Sequence, residues 1–480
     1  MKYAHQSQFI DGQWRKPERD QTITVISPTD ERPIASVAAA SPSDVDAAVA
    51  AAGRALRAPE WAGLAPEDRA DLLNRLADEL QANTADRAAL TTLQNGMPIR
   101  LATSAEGQVP VKLLRYYASL ARTTQIEERR PRVGGTGTTM VRREPVGVVG
   151  MIVPWNFPQA LTMFKLAPAL AAGCTVVLKP APETSLDAFA LAAAAERAGV
   201  PAGVLNVVAG GADIGAYLVD HPGVHKIAFT GSTAAGREIG AKCGRLLRPV
   251  TLELGGKSAA IVLDDADLMT TVQGLASSAL LNNGQACYLS TRILAPRRRH
   301  DEIVEALAAM ASELTVGDPM EPETRIGPLV SSRQRERVES YIAQGKADGA
   351  TLATGGGRPN REKGWFVEPT VFGDVDNSSR IAREEIFGPV LAVIPYEGVD
   401  EAVAIANDSE YGLGGTVWTS DHGKGLDIAR RVETGSIGVN FYALDVGAPF
   451  GGVKSSGIGR ELGPEGLAQY FQLKSIYMHG

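Results

Sequence analysis

The stretch LLNNGQACYLSTRI, residues 280–293, places Cys287 behind Asn282, Asn283, Gly284 and Gln285. A structural cysteine usually sits among apolar residues and behaves as a small hydrophobe. The residues before Cys287 instead describe a turn or loop. A thiol presented on a loop is a candidate nucleophile. Glu253 precedes it in TLELGGKSAAIV (251–262), inside an apolar segment and just before a Gly-Gly pair. A carboxylate so placed is costly unless it is paired or used. Burial would raise its pKa toward the range of a general base. Asn156, in VPWNFP (153–158), is an amide between Trp155 and Phe157; on its own it also reads as the cap of a helix starting near Pro158. Lys179, in KPAPET (179–184), ends an apolar run. It can donate to sugar hydroxyls or a phosphate, or stand solvated. In FTGSTAAG (229–236), Thr230, Gly231 and Ser232 form a tight turn into a helix. The free N–H groups of such a turn can meet a phosphate, or the turn can be structural only.

These residues need elements to hold them. Apolar, β-branched runs recur at 146–153, 174–179, 204–208 and 225–229, with helix-like stretches at 158–172, 183–199, 212–220 and 233–243. Strands alternating with helices indicate βαβ units and a parallel sheet covered on both faces. Such sheets bind ligands at the carboxyl ends of their strands. The GxGxxG fingerprint is absent after the first strand. A second α/β region follows Glu253. Its strands are expected at 259–263, 291–296, 388–396 and 435–440, and its helices at 299–314 and 332–348. Near the N-terminus, 43–57 and 67–93 read as Ala/Leu-rich helices, with Ser43 as an N-cap. The chain shows no internal repeat.

Composition narrows the class. The 480 residues are 44% hydrophobic and 21% charged, which predicts two or three domains of an ordinary soluble protein. A net charge of −7 gives no electrostatic case for nucleic acid or an anionic membrane as partner. Three cysteines, Cys174, Cys243 and Cys287, argue against a disulfide framework and for a reducing, cytoplasmic compartment. Cys174 and Cys243 read as structural. No secretory signal and no membrane span is expected. With six histidines, no HExxH and no paired CxxC, no metal site is expected.

The segments PWNFP, FTGST, ELGGKS, GQAC, EEIFGPV (384–390) and PFGGVKSSGIGRE (449–461), in this order and spacing, resemble the aldehyde dehydrogenase superfamily over essentially the whole chain. The resemblance implies a Rossmann-like cofactor-binding domain (1–122 and 146–252, with a return at 446–467) and an α/β catalytic domain (253–445). It also implies a small β oligomerisation arm (123–145 and 468–480) that makes a homodimer or homotetramer.

It implies roles as well. Cys287 matches the nucleophile that attacks the aldehyde. Asn156, with the Cys287 N–H, matches the oxyanion donors. Glu253 matches the base that activates water against the thioester. Glu461 matches a second carboxylate assigned to proton relay, with surface ion pairing as the alternative. Trp155, Lys179, Gly231, Ser232, Gly236, Glu385 and Phe387 match positions around NAD. Phe157, Leu161, Phe164, Tyr288 and Leu444 fall along the substrate tunnel; none is charged, which implies a neutral, hydrophobic aldehyde. Many NAD-using members carry a Glu three residues after the equivalent of Lys179. Here that position is Pro182, with Glu183 next, so NAD is expected and NADP is possible. Competing readings are a CoA-acylating or phosphorylating variant, which Glu253 argues against, and a non-catalytic protein on this fold. A cysteine hydrolase would need a histidine base that no sequence context recommends.

Overall fold

Runs of β-branched residues that are buried on both faces build two large sheets. The computed structural model describes residues 3–18 and 20–479; positions 1, 2, 19 and 480 of the expected segments lie outside the described residues. In the first sheet the strands Val148–Ile152, Thr175–Lys179, Leu205–Val207, Lys226–Thr230 and Val250–Glu253 run parallel. The helices Pro158–Ala172, Ser185–Arg197, Ala212–Asp220 and Thr233–Arg245 alternate with them along the chain. Short antiparallel strands close both edges: Gly457–Ile458 on one side, Gln8–Ile10 and Gln13–Arg15 on the other. Ile152 lies opposite Lys179, and Thr230 opposite Glu253. Asn156, Lys179, Ser232 and Glu253 therefore all leave the sheet at its carboxyl edge.

The second sheet has seven strands, in the order Thr351–Thr354, Thr370–Gly373, Val390–Tyr396, Arg292–Pro296, Ala259–Val262, Gly415–Trp418 and Gly438–Val439. Only the first of these runs antiparallel to its neighbour. Cys287 lies just before the strand Arg292–Pro296, and Glu385 and Phe387 just before Val390–Tyr396. The second sheet thus offers its amino edge to the carboxyl edge of the first. A third, smaller sheet joins the hairpin Glu127–Pro131 and Thr138–Pro145 to the strand Phe471–Met478.

The helix Pro158–Ala172 is buried at every position, because it is apolar on nearly all sides and packs between the first sheet and the helices before it. Each large side chain so buried contributes about 2 kcal/mol.

Three local expectations give way. The N-cap of the first long helix, Pro42–Ala55, is Ser41 and not Ser43. Pro42 pre-sets the first helical residue, and Asp44 completes a reciprocal box: Ser41 Oγ accepts from Asp44 N, and Asp44 accepts from Ser41 N at 2.7 Å. Ser43 instead donates to Glu18 at 2.8 Å. The expected helix 67–93 is two helices, Pro66–Ala82 and Thr84–Asn95. Asn83 breaks it at φ −114° and ψ 22°, with its amide donating back to Glu79 O at 2.9 Å. The strand expected at 435–440 shrinks to Gly438–Val439, and Gly435 packs against the Gly451 carbonyl too closely for a Cβ.

Candidate active site

The loop before Cys287 explains its own composition. Asn282, Asn283 and Gly284 are three successive left-handed residues, at φ 51°, 60° and 76°. Asn and Gly adopt that conformation at least cost. The Asn and Gln side chains then clamp the loop from inside the protein. Asn283 donates to Gly96 O (3.0 Å) and Pro328 O (2.9 Å) and accepts from Gly327 N (2.7 Å). Gln285 Oε1 accepts from Val330 N at 3.1 Å. Polar residues that read as a solvated turn are buried struts, and Cys287 is set at their end.

Asn156 does not cap the following helix. Its Nδ2 donates to the Gln285 carbonyl at 3.0 Å, two residues before Cys287. Its own carbonyl accepts from Asn282 Nδ2 at 3.0 Å and Asn95 Nδ2 at 3.3 Å. Amide and thiol line one cavity of about 290 Å³. The thiol opens onto that cavity but is otherwise enclosed. Burial, with the carboxylates of Glu385 and Glu253 nearby, pushes its ionisation well above the ordinary thiol value.

The Gly-Gly pair after Glu253 has a steric reason. A Cβ at Gly255 would lie 2.6 Å from Glu385 Oε2, and one at Gly256 would lie 2.2 Å from the Cys287 carbonyl oxygen. Gly256 N also donates to Glu385 Oε1 at 3.0 Å. Glu253 itself is buried, and neither carboxylate oxygen has a hydrogen-bond partner among the described residues. Burial and then the charge of Glu461 push its pKa well up, against Lys165 and Arg460. Glu461 is no surface residue: it is 3% exposed and pairs with the buried Lys165 ammonium at 2.7 Å. Lys165 also donates to Thr230 Oγ1 at 2.5 Å.

On the other side of the strand ends, Lys179 is buried rather than solvated. Its ammonium makes one hydrogen bond, to Pro180 O at 2.9 Å, and burial lowers its pKa to about 8. Trp155 meets Phe387 edge-on, 5.4 Å between ring centroids. Ser232 caps the helix Thr233–Arg245, accepting from Ala235 N at 3.3 Å. A Cβ on Gly231 would strike the Phe229 ring. Gly236 lies beyond the turn. It lies in the first turn of that helix, where a Cβ would come within 2.4 Å of Leu254. It lets helix and strand pack closely.

Phe157, Leu161, Phe164, Tyr288 and Leu444 all line the Cys287 cavity. Tyr288 stacks on Tyr442 at 5.1 Å, and Phe450 meets both Tyr288 and Phe164 edge-on. Sequence reasoning missed a whole wall. Leu101, Ala105 and Val109 face the cavity, as do Ser104, Gln108 and the exposed Lys112 at its rim. The apolar spacing of the first three was visible, but it reads equally well as core. Lys112 is a cation at the tunnel that the five expected positions did not include. No histidine among the described residues lines the cavity, and no group of three or more His, Cys, Asp or Glu could hold a metal ion among them. No described helix is long and apolar enough to cross a membrane.

Comparison with known proteins agrees with this geometry. The model of the aldehyde dehydrogenase family matches residues 14–476. The chain is 56% identical over 480 residues to the geranial dehydrogenase of Castellaniella defragrans, covering all of both chains. An aldehyde dehydrogenase of Mycobacterium tuberculosis, solved with NAD+, superposes with a TM-score of 0.97 at 46% identity, covering 100% of this chain and 99% of that one. A mutant of aldehyde dehydrogenase C from Pseudomonas syringae, solved with NAD+ and octanal, gives a TM-score of 0.94 at 40% identity, covering 98% and 96%.

Proposed function

The chain belongs to the aldehyde dehydrogenase family and is an NAD(P)-dependent enzyme, and from that premise we propose that it oxidises a neutral, hydrophobic aldehyde to the acid through a covalent intermediate on Cys287. One observation carries this reading: Cys287 and Asn156 line the same apolar cavity, and the Glu253 carboxylate is near enough to raise the thiol's proton affinity.

The residues fit the cofactor. Lys179 is buried at a strand end with two of its three ammonium donors unused among the described residues, which suits ribose hydroxyls. Glu385 is aimed by Gly256, and burial raises its pKa to about 7. Trp155 and Phe387 form an apolar corner between them. NAD+, when bound, supplies the hydride acceptor. The chain does the rest. Cys287 Sγ bonds to the carbonyl carbon, and its proton passes to a base, for which Glu253 has the raised proton affinity. Charge builds on the substrate oxygen, and Asn156 Nδ2 and the Cys287 N–H donate to it. One such donor is worth about 3–4 kcal/mol. After oxidation the product is a thioester on Cys287. Once Glu253 has released the thiol's proton to solvent, it takes a proton from water, the hydroxide adds to the acyl carbon, and the thiolate leaves. A carboxylate kept in place for that step favours hydrolysis over acyl transfer to CoA.

The cavity wall supports a hydrocarbon substrate the size of octanal or geranial. The first region, 1–122, 146–252 and 446–467, then holds the cofactor, and 253–445 carries the nucleophile. The exposed Leu473, Ile476 and Tyr477 on the strand Phe471–Met478 suit contact with a second copy, as dimer or tetramer. The three free cysteines suit a reducing cytoplasm. The test is an aldehyde series read by NADH formation. With about 0.8 kcal/mol per buried CH₂, kcat/KM should climb about fourfold per added carbon from acetaldehyde toward octanal and geranial. Succinic semialdehyde should be poor, because its carboxylate would lose hydration along the tunnel. A preference for succinic semialdehyde would sink the substrate assignment and turn attention to Lys112; a preference for betaine aldehyde would sink it as well.

A further inference from the structure

The helix Pro158–Ala172 begins two residues after Asn156 and carries Leu161 and Phe164 into the tunnel. Its cap position is Phe157, which has no side-chain acceptor, and the whole first turn is buried. The buried N–H groups of Gln159 and Ala160 therefore need an acceptor from elsewhere.

Glu106 supplies it. Its Oε2 accepts from Gln159 N at 2.7 Å and its Oε1 from Ala160 N at 3.4 Å. Glu106 is fully buried and sits in a π-helical turn, Thr103–Gln108, between the helices Ile99–Ala102 and Val109–Thr123. Such turns are rare within helices and concentrate at functional sites. Arg87 holds this one, donating to the carbonyls of Glu106 (2.9 Å) and Gly107 (2.6 Å) and to the Gln159 side chain. Gln159 in turn donates to Thr91 and Asp187, both at 2.8 Å. The same π turn puts Ala105 on the tunnel wall.

We propose that Glu106 is a positioning residue: by capping Pro158–Ala172 from the π turn, it fixes the Asn156 amide relative to Cys287 and ties the tunnel wall to that amide. This rests on the reading of Asn156 as the oxyanion donor. Nothing else among the described residues accepts from the Gln159 and Ala160 N–H groups, so a loosened cap shifts the backbone that carries Asn156. A displacement of about 1 Å at such a donor can cost about a hundredfold in rate.

Two near-isosteric variants test it. Glu106→Gln keeps a carbonyl acceptor where Oε2 stands; Glu106→Asp keeps the carboxyl group but draws the acceptors back by one carbon. We expect the Gln variant to stay within about threefold of wild-type kcat, and the Asp variant to lose about tenfold or more, with KM for NAD+ unchanged. In an Asn156→Ala background the Asp change should cost nothing further. Glu106→Ala, with no acceptor, is held to the same two conditions, so a folding failure of one variant leaves the other. Wild-type kcat in the Asp variant would overturn the proposal. So would an equal loss in the Asn156→Ala background, or a Gln variant as poor as the Asp one. If Asn156→Ala alone leaves kcat unchanged, the oxyanion reading fails instead.

Discussion

Pro182 stands three residues after Lys179, where a carboxylate would reject the 2′-phosphate of NADP. The structure moves that carboxylate one residue along. Glu183 is close enough to Lys179 to raise its proton affinity, and it lies 3.8 Å from the guanidinium of Arg333. Glu183 therefore places a carboxylate near Lys179 and engages Arg333. NAD should be preferred over NADP, by a modest factor because the pair with Arg333 is long and solvent-facing. Glu183→Gln should raise kcat/KM for NADP by about threefold to tenfold, since it removes a repulsion and frees Arg333. Kinetics with both cofactors check this; an unchanged NAD-to-NADP ratio would show that Glu183 sets no selectivity. Glu183 was legible in the sequence as the carboxylate next to Pro182, but its partner was not, because Arg333 lies far along the chain on another helix.

The Cys287 loop is the element on which the proposed chemistry depends. Its motif was legible as a loop, but its mechanics were not. Polar residues in a turn usually face water, and here tertiary contacts from Gly96, Gly327, Pro328 and Val330 bury them. Gly284 shows how tight the fit is. It sits at φ 76°, and a Cβ there would lie 2.1 Å from the Gly388 carbonyl carbon. Gly284→Ala must therefore move the loop or the strand entrance that carries Glu385 and Phe387. We expect a loss of at least about tenfold in kcat with a fall in Tm, because left-handed strain alone is worth about 1–3 kcal/mol. Steady-state rates and thermal melts check it; wild-type values for both would mean the loop is not held as described. The failures at Ser43 and Asn83 have a different source. A capping box or a one-residue break depends on spacing within a single turn, and helical periodicity cannot resolve a shift that small.

At the scale of the whole molecule, the parallel strands and the ends that bear Asn156, Lys179 and Glu253 were legible because buried β-branched runs and turn residues mark them directly. The far wall of the tunnel was not. Leu101, Ala105 and Val109 occupy consecutive helical segments whose apolar spacing reads as ordinary core, and only the tertiary fold shows which of them line a cavity. Glu461 was ambiguous for the same reason, since its partner Lys165 is hidden in a helix that is otherwise almost wholly apolar. The two sheets together bring Cys287 from one edge against Asn156 and Glu253 from the other. The central claim is therefore a covalent acyl intermediate on Cys287 that Glu253 resolves. Its most direct test is intact-mass spectrometry of Glu253→Gln, mixed with octanal and NAD+ and quenched after the first turnover. The account predicts an added octanoyl group mapped to Cys287, a single burst of NADH, and steady turnover reduced by about a hundredfold or more. An unmodified Cys287 with normal steady turnover would contradict it.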